Sequence, residues 1–357
     1  MKNKFNNFFR EDIDILEEYK VMSSKNMVKL DAMENPFDLE LNIKLSNSPV
    51  SAIINLNRYP DAACETIRSK LLKKYEINDK YDMIIGNGSD ELIQLICLTF
   101  LKSENIILSP TPSFSMYQKI SQVLGLRFEE VPLFEDFSLD INLMLKKIEE
   151  LNPAVIFLAF PNNPTGNLWS KEDINLIIKK TNGVVVIDEA YGAFSGETFI
   201  KDIGKYNNLI IIKTFSKIGL AGIRLGYLFG DKYLIKQINK IRLPFNINSI
   251  SQKISEISME NNVFLDKQCE QIVELRSSLI NQMMKFDKIK VFDSRTNFIL
   301  FKILKGSADD VFSRLLENNI LIKNMSNTPR LKNCLRVTVG TKKENDIFIK
   351  SLKNLII

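Results

Sequence analysis

The chain contains no histidine among its 357 residues. This absence excludes a Ser-His-Asp or Cys-His catalytic arrangement and any metal site built on histidine ligands. A general base must therefore come from Lys, Asp, Glu, Tyr or Cys. We expect no metal site.

Cysteine is scarce as well, with four residues that lie far apart and form no C-x-x-C pair. Cys64, Cys97, Cys269 and Cys334 are typical of reduced core thiols in a cytosolic protein. The first residues are polar and charged, which disfavours a signal peptide, and no apolar run reaches the length of a membrane span. We therefore expect a cytoplasmic protein with no membrane partner.

Charge of one sign is not concentrated in any part of the chain. The net charge is +5, and the lysines are scattered among acidic residues. Such a distribution is typical of a solvated surface rather than a nucleic-acid-binding patch. Apolar residues make up 45% and charged residues 25% of the sequence, as in ordinary globular proteins. We expect a globular protein with no nucleic-acid partner.

An alternation of strand and helix patterns begins near residue 80 and indicates an open α/β sheet. Several of the strands are almost continuously apolar, which is typical of strands buried on both faces of a parallel sheet. They are predicted at Met83–Ile85, Ile106–Leu108, Val155–Phe160, Val184–Ile187, Ile210–Ile212 and Gly226–Phe229. Helices are predicted between them, for example at Leu92–Leu101 and at Ile174–Lys180, where Ser170 and Asp173 form a helix start.

The pattern changes after about residue 250. Long amphipathic helices are predicted at Ser251–Glu260 and Leu265–Phe286, and Thr341 with Glu344 resembles a capping box for the last helix. Short strands are predicted at Lys290–Phe292, Phe298–Phe301, Ile320–Ile322 and Leu335–Val339. Residues 1 to about 45 are polar, with a short helix predicted near Glu11–Tyr19. We therefore divide the chain into an N-terminal arm (1–45), a large domain (46–248) and a small domain (249–357).

The stretch KTFSKIGLAGIRLG, from Lys213 to Gly226, combines a lysine, two hydroxyls and an arginine. Lys217 follows Thr214 and Ser216, and Arg224 comes about two helical turns later. Nearby positive charge or desolvation releases the proton of an ammonium, which then forms a Schiff base with an aldehyde. These residue types suit an anionic cofactor that carries an aldehyde. The alternative is a surface lysine in a loop at a helix start.

Three further motifs follow predicted strands, where open α/β sheets bind their ligands. In GNGSDE, the amides of Ser89 and Asp90 open a helix and form an anion site, or else an ordinary N-cap turn. In FPNNPTG, Asn163 offers an amide hydrogen to a ring oxygen, or the segment is a plain loop turn. In VVVIDEAYGAF, Asp188 ends an apolar strand and Tyr191 lies three residues on.

A carboxylate at the end of a buried strand is costly without a partner. A protonated pyridine nitrogen would pair with Asp188 and keep that ring an electron sink. An N-cap or a magnesium ligand of the Walker-B kind is the alternative, but no G-x-x-x-x-G-K-[ST] loop accompanies it. Phe114 is placed to stack on the ring, unless it is a core aromatic. Together the motifs supply a pyridoxal 5'-phosphate (PLP) site, with Tyr191 and Asn163 at the ring oxygen.

In motif order and spacing, the chain resembles fold-type I PLP aminotransferases of the class I/II superfamily, and among them most the histidinol-phosphate aminotransferases. The motifs that carry the resemblance span nearly the whole chain: KLDAMENP (Lys29–Pro36), LNRYPD (Leu56–Asp61), GNGSDE, FPNNPTG, VVIDEAY, KTFSK…GIRLG, TNFIL (Thr296–Leu300) and CLRVTVGT (Cys334–Thr341). Together with the strand pattern, this resemblance implies an α/β fold: a three-layer large domain with a mainly parallel seven-stranded sheet, and a smaller α+β C-terminal domain.

The resemblance also implies roles for residues that no pattern above assigns. Tyr59, in NRYP, would reach the cofactor phosphate of a neighbouring subunit, which makes the active unit a homodimer. Arg336, in LRVTVG, would bind the anionic end of a small-molecule substrate, and Asn297 would line the same pocket. Where the family often has a second arginine, this chain has Lys323, a point charge without bidentate geometry. Tyr19 is a candidate for a further phosphate contact.

The activity implied is amino transfer between L-histidinol phosphate and 2-oxoglutarate, with Lys217, Asp188 and Tyr191 as catalytic residues. A threonine-phosphate decarboxylase or an aromatic amino acid aminotransferase on the same scaffold remains an alternative, because sequence does not show which bond at the α-carbon is broken. A non-catalytic module of a transcription regulator is disfavoured, because the N-terminal segment lacks a basic helix-turn-helix pattern.

Overall fold

The structure is a computed structural model that describes residues 22–37, 57–260 and 262–356. The helix predicted near Glu11–Tyr19, and with it the candidate phosphate contact Tyr19, lie outside the described residues. A first short strand, β1 (Val28–Lys29), precedes the large sheet in the chain.

A seven-stranded sheet forms the centre of the molecule. Its strands are β2 (Tyr81–Gly86), β3 (Ile106–Thr111), β4 (Arg127–Pro132), β5 (Val155–Ala159), β6 (Val184–Asp188), β7 (Leu209–Thr214) and β8 (Gly226–Asp231). Their spatial order is β2-β8-β7-β6-β5-β3-β4. Only β8 runs against its neighbours β2 and β7, and the other pairs are parallel. The prediction of a mainly parallel seven-stranded sheet is confirmed.

Helices cover both faces of this sheet. They are α1 (Glu65–Lys74), α2 (Ser89–Thr99), α3 (Met116–Val123), α4 (Ile141–Leu151), α5 (Lys171–Lys180) and α6 (Lys232–Asn239). Helices α1, α4 and α5 share one apolar cluster with alternate strand residues, and α2, α3 and α6 share another with the intervening ones. The large domain therefore has three layers. The predicted start of α5 is also confirmed, since Ser170 Oγ accepts from Asp173 N at 3.2 Å.

Strand β4 is the one strand of this sheet that the sequence pattern did not identify. Its sequence RFEEVP buries only Val131, and Arg127 and Glu130 are exposed. It lies at the edge of the sheet, where charged side chains are common because they discourage pairing with another chain. An edge strand of this kind lacks the continuous apolar run that marks the central strands.

The remaining elements form an α+β region. They are α7 (Ser249–Glu260), α8 (Asn262–Met283), β9 (Ile289–Val291), β10 (Phe298–Ile303), α9 (Ala308–Glu317), β11 (Ile320–Leu321), β12 (Lys323–Asn324), β13 (Cys334–Thr338) and α10 (Lys342–Ile356). Four of the strands form an antiparallel sheet in the order β12-β13-β10-β9. Strand β11 instead pairs in parallel with β1, which ties the segment before the large domain to this region.

Hydrogen bonds at the two ends of this region show how its last helix begins and how its first helix packs. Thr341 N donates to Glu344 Oε2 at 2.7 Å and Glu344 N donates back to Thr341 Oγ1 at 3.3 Å, which is the predicted capping box. Helix α7 lies against the large domain, since Ser251 Oγ donates to Ile223 O at 2.8 Å. The division of the chain at residue 248 stays a prediction. None of the helices in the described ranges is both long and apolar enough to cross a membrane.

Candidate active site

The carboxyl ends of the parallel strands enclose a pocket of about 90 Å³. Asp188 ends β6 and Thr214 ends β7, and Asn163 follows β5. The pocket is lined by Met33, Ser89, Asp90, Phe114, Ala159, Asn163, Asp188, Ala190, Tyr191, Thr214, Ser216, Lys217 and Arg224. All the predicted cofactor-binding residues except Tyr59 therefore lie around one cavity, at the sheet edge where open α/β folds bind ligands.

Lys217 lies in a tight turn directly after β7. The turn, Ser216–Leu220, contains Gly219 with a φ of 117°, which glycine adopts without strain. Lys217 Nζ lies 3.4 Å from Ala32 O and 5.7 Å from the centroid of the Tyr191 ring. Burial lowers the pKa of this ammonium to about 8, helped by the positive charges of Arg336 and Arg224, although Asp90 and Glu34 oppose the shift.

One end of the pocket is built to hold an anion. Helix α2 begins at Ser89 after Gly88, so its first backbone N–H groups receive no capping side chain from the N-cap residue. Thr214 Oγ1 donates to Ser216 Oγ at 3.0 Å, and Arg224 Nη1 donates to the same Ser216 oxygen at 3.4 Å. Two hydroxyls, a guanidinium and a helix N-terminus therefore converge.

Two glycines make this convergence possible. Gly88 has a φ of 83°, and a Cβ there would lie 2.6 Å from Arg224 Nη2. A Cβ on Gly226 would lie 2.7 Å from the backbone nitrogen of Ser89. Arg224 Nη2 also contacts Asp90 Oδ2 at 3.2 Å, so the Asp90 side chain orients the arginine while its backbone belongs to the helix start. The donor set fits a phosphate group.

The pocket lining also includes a buried acid. Asp188 is 3% exposed, accepts from Tyr117 OH at 2.8 Å through Oδ2, and accepts from Ala190 N at 3.0 Å through Oδ1. Burial raises the pKa of this carboxyl to about 6, although the hydrogen bonds from Tyr117 and Ala190 lower it, and Asp90 and Glu189 raise it further. The sequence reasoning missed Tyr117, although it lies three residues after Phe114 in PTPSFSMY.

Side chains suited to an aromatic ring line the same pocket. Asn163 Nδ2 donates to Tyr191 OH at 3.1 Å, so the two residues predicted to share a ring oxygen are neighbours. Tyr191 OH in turn lies 3.2 Å from Met33 Sδ. Phe114 is half-buried and presents its ring to the pocket, with its edge contact to Tyr117 at 5.4 Å.

Arg336 reaches the site from the small sheet. It is 7% exposed on β13, and Nη1 donates to Asn163 Oδ1 at 2.6 Å. Its guanidinium carbon lies 5.2 Å from the centroid of the Phe298 ring. Arg336 is therefore a buried residue that contacts the site and not a surface arginine. Lys323, half-buried on β12, lies directly opposite Arg336 in the strand pair.

Residues 31–33 of the N-terminal segment are a part of the site that sequence reasoning did not assign. Their successive carbonyl oxygens accept from Arg336 Nη2 at 3.3 Å, from Lys217 Nζ at 3.4 Å and from Asn297 Nδ2 at 2.9 Å. Asn297 therefore acts on the pocket by holding the backbone of Met33. The KLDAMENP motif marked this segment, but gave no sign of which groups it contacts.

Tyr59 stands apart from the cavity of its own chain. It is 81% exposed, and its ring stacks on Phe245 with a centroid distance of 4.6 Å. Its position near an exposed face leaves it available to another molecule.

Glu189 and Lys213, which neighbour the pocket residues Asp188 and Thr214 in the chain, form a buried ion pair. Lys213 Nζ lies 2.5 Å from Glu189 Oε2. Glu189 also accepts from Phe199 N at 2.6 Å and from Thr198 Oγ1 at 2.7 Å. Burial acts to lower the pKa of Lys213, but the charge of Glu189, the neighbouring Tyr75 and the hydrogen bond to Glu189 together outweigh it, so that the pKa is raised. This pair does not line the pocket.

The sequence profile of the family "Aminotransferase class I and II" matches residues 25–352. A histidinol-phosphate aminotransferase 2 of Nitrosococcus oceani is 41% identical over 353 residues, covering 99% of this chain and 98% of its own length. This chain belongs to the class I and II aminotransferase family. Enzymes of this family depend on PLP, whose phosphate and ring the pocket fits.

Two further relatives agree with this assignment. A histidinol-phosphate aminotransferase of Vesicomyosocius okutanii is 40% identical over 354 residues and covers 99% of both chains. The crystal structure of histidinol-phosphate aminotransferase from Sinorhizobium meliloti in complex with pyridoxal-5'-phosphate superposes with a TM-score of 0.85, covering 97% of this chain and 98% of that one. At 20% identity this last likeness concerns the fold.

Proposed function

We propose that this aminotransferase transfers the amino group of L-histidinol phosphate to 2-oxoglutarate, giving imidazole-acetol phosphate and L-glutamate. The observation that carries the proposal is Lys217, whose amine points into a pocket bounded by an anion cradle and a buried acid. The substrate assignment is supported by relatives of that name at 41% and 40% identity over nearly the full length.

The roles of the pocket residues follow from their chemistry. Lys217 would hold PLP through its amine, and Asp188 would face the ring nitrogen. Asn163 and Tyr191 would bind the ring oxygen, while Phe114 would lie against the ring face. The phosphate would take the cradle, formed by Ser89, Asp90, Thr214, Ser216 and Arg224. Bound PLP supplies an electron sink for negative charge that develops at the substrate carbon.

Lys217 is also the proposed proton carrier. A lysine with its pKa lowered to about 8 is partly neutral near neutral pH, so its nitrogen can accept a proton and return it. Burial keeps this pKa low, and the positive charges of Arg336 and Arg224 lower it further. The chain has no histidine to take this role.

Arg336 is the proposed anchor for the anionic end of each substrate. A guanidinium offers paired donors to the carboxylate of glutamate and to the phosphate of histidinol phosphate. Asn163 already fixes one of its nitrogens, at 2.6 Å, which orients the group at the pocket. Lys323, opposite Arg336, would add a second positive charge for the phosphate. Tyr19 stays a candidate for a further phosphate contact.

We also propose a homodimer in which the two subunits share their sites. Tyr59 lies on an exposed face with the apolar side chains of Phe245 and Ile250. Exposed apolar groups of this kind are typical of protein interfaces. In a dimer, Tyr59 would complete the phosphate site of the neighbouring subunit. A cytoplasmic location is part of the same proposal.

A substrate panel tests the function. Purified protein reconstituted with PLP is incubated with L-histidinol phosphate, L-threonine phosphate and aromatic amino acids, each with 2-oxoglutarate. The proposal predicts glutamate and imidazole-acetol phosphate from the first substrate as the preferred reaction. Carbon dioxide release from threonine phosphate, or preference for an aromatic amino acid, would replace it with the corresponding alternative. The Lys217→Ala variant serves as the inactive control.

A further inference from the structure

Tyr117 connects the buried acid of the site to the aromatic residue beside it. It lies on α3 and is 0% exposed, and its OH donates to Asp188 Oδ2 at 2.8 Å. Its ring stacks on Phe157 at 4.7 Å with an interplanar angle of 8°. The edge of the same ring meets Phe114 at 5.4 Å with an angle of 86°. One side chain therefore touches both the acid and the stacking residue without lining the pocket.

The hydroxyl of Tyr117 supplies one of the two donors that hold the carboxylate. The other is the Ala190 backbone N–H, so each Asp188 oxygen has one fixed partner. In the part of the chain that the structure describes, no cation pairs with Asp188 through a salt bridge. A hydrogen bond to the charged form stabilises that form against burial.

Other charged groups around the pocket act in both directions. The carboxylates of Asp90 and Glu189 favour the neutral form of Asp188. The cations at the pocket are Lys217 and Arg224, with Arg336 joined to it through Asn163. The remaining titratable neighbour is Tyr191, which lines the same cavity. Beside these charges, Tyr117 contributes a direct hydrogen bond to the acid.

We propose that Tyr117 is a positioning residue for the transamination: its hydroxyl keeps Asp188 ionised and fixed, and its ring fixes Phe114. The proposal rests on the proposed function, because it assigns Asp188 to the ring nitrogen of PLP. An ionised Asp188 holds a proton on that nitrogen, and a neutral one does not. Tyr117 therefore controls how strongly the ring draws electrons, although it touches neither cofactor nor substrate.

The test is Tyr117→Phe, which removes the hydroxyl and keeps both ring contacts. Loss of a buried hydrogen bond to a charged group is expected to weaken PLP binding, measured by fluorescence titration of the cofactor-free protein, about tenfold. With less positive charge at the ring, the pH midpoint of the visible absorbance of the bound cofactor should rise by about half a unit or more. The value of kcat should fall about tenfold with little change in KM.

The matched control is Tyr227→Phe. Tyr227 is also buried, and its OH lies 3.0 Å from Tyr75 OH, away from the site pocket. This variant loses a buried hydroxyl contact of similar kind, but PLP affinity and the pH midpoint should equal those of the parent. If Tyr227→Phe moves both as far as Tyr117→Phe does, the effect is one of general stability and the proposal is wrong.

Two further measurements separate the possible failures. In an Asp188→Asn background, Tyr117→Phe should no longer shift the midpoint, because the acid through which it acts is gone. If Tyr117→Phe does not fold, a fluorinated tyrosine at position 117, a stronger donor, should lower the midpoint instead, and an unchanged midpoint overturns the proposal. A parent protein that binds no PLP overturns the proposed function itself. If the parent binds PLP and the Tyr117→Phe variant has the same PLP affinity and pH midpoint as the parent, only the role of Tyr117 is overturned.

Discussion

Two lysines and two acids at one edge of the sheet are used in different ways. Lys213 and Glu189 face each other at 2.5 Å, and Glu189 accepts two further hydrogen bonds. Lys217 and Asp188 lie on the pocket side, and among the described residues neither forms an ion pair. Burial lowers the pKa of Lys217 to about 8. Burial also acts to lower the pKa of Lys213, but its interactions with Glu189 and Tyr75 together outweigh it, so that the pKa of Lys213 is raised.

This difference separates structural from chemical use of a buried charge. A paired buried charge is held in one protonation state, and removing its partner is costly. A buried charge without an ionic partner is less favourable in the folded protein. Burial therefore shifts the pKa of the group in the direction that favours its neutral form. Groups of the second kind collect at functional sites. The four residues therefore predict which substitutions affect turnover and which affect stability.

The largest effect is expected from Lys217→Ala. Loss of the amine that would hold PLP and carry the proton should lower kcat by more than about 10³-fold. The cofactor-free protein should lose no more than about 1 kcal/mol of stability, because no ion pair is broken. Steady-state kinetics and urea unfolding measure the two quantities. Lys205→Ala, at an exposed lysine paired with Asp202, is the control and should match the parent in rate.

Glu189→Gln should show the reverse pattern. It leaves Lys213 buried without its anion, which is expected to lower the free energy of unfolding by about 3–5 kcal/mol. Urea unfolding at pH 7 measures this loss. The double variant Glu189→Gln with Lys213→Met should lose less than the sum of the two single variants, because the pair acts together. A loss below about 1 kcal/mol for Glu189→Gln would mean that the pair is not structural.

A smaller and opposite effect is expected from Asp188→Asn in the cofactor-free protein. The folded-state pKa of Asp188, about 6, lies above its ordinary value of 3.8, so the folded protein binds this proton more tightly than the unfolded chain. This group therefore lowers stability as pH rises from about 4 to about 6. The variant should lack that decline and be more stable than the parent at pH 8, by about 1–3 kcal/mol. Identical pH profiles of the two proteins would contradict the unpaired state of Asp188.

The smallest effect is expected at Lys323. It extends the comparison to the two cationic side chains that are proposed to bind the substrate. Arg336 is fixed by Asn163 and the carbonyl of Asp31, whereas Lys323 opposite it offers only a point charge. Lys323→Arg should lower KM for histidinol phosphate by about two- to fivefold, through bidentate contact with phosphate. The KM for glutamate serves as the internal control. An equal change in both would show that Lys323 does not distinguish phosphate from carboxylate.

The sequence predicted the parts of the site that follow strand ends. Asp188 and Thr214 each end a strongly apolar strand, and parallel strands bring such ends together. The edge strand β4 was not predicted, because it buries only Val131 and so lacks a continuous apolar run. A site residue could therefore be predicted wherever its position depends only on the strand or turn that carries it.

The contacts that escaped prediction join distant parts of the chain. Tyr117 and Asp188 are 71 positions apart, and Lys217 and Ala32 are 185 apart. Nothing in the local pattern around Tyr117 distinguishes its hydroxyl from that of any core tyrosine. Likewise, Lys213 and Lys217 are both lysines of one motif, and only the packing of Glu189 shows which is paired. Such partners are set by tertiary packing and not by periodicity.

The most direct test of the account is to locate the cofactor on the chain. The protein reconstituted with PLP is treated with borohydride, which makes the link between amine and cofactor permanent, and its peptides are sequenced by mass spectrometry. The account predicts the added mass on Lys217 alone, with Lys213 unmodified. Modification of Lys213, or a protein that retains no cofactor after reduction, would contradict it.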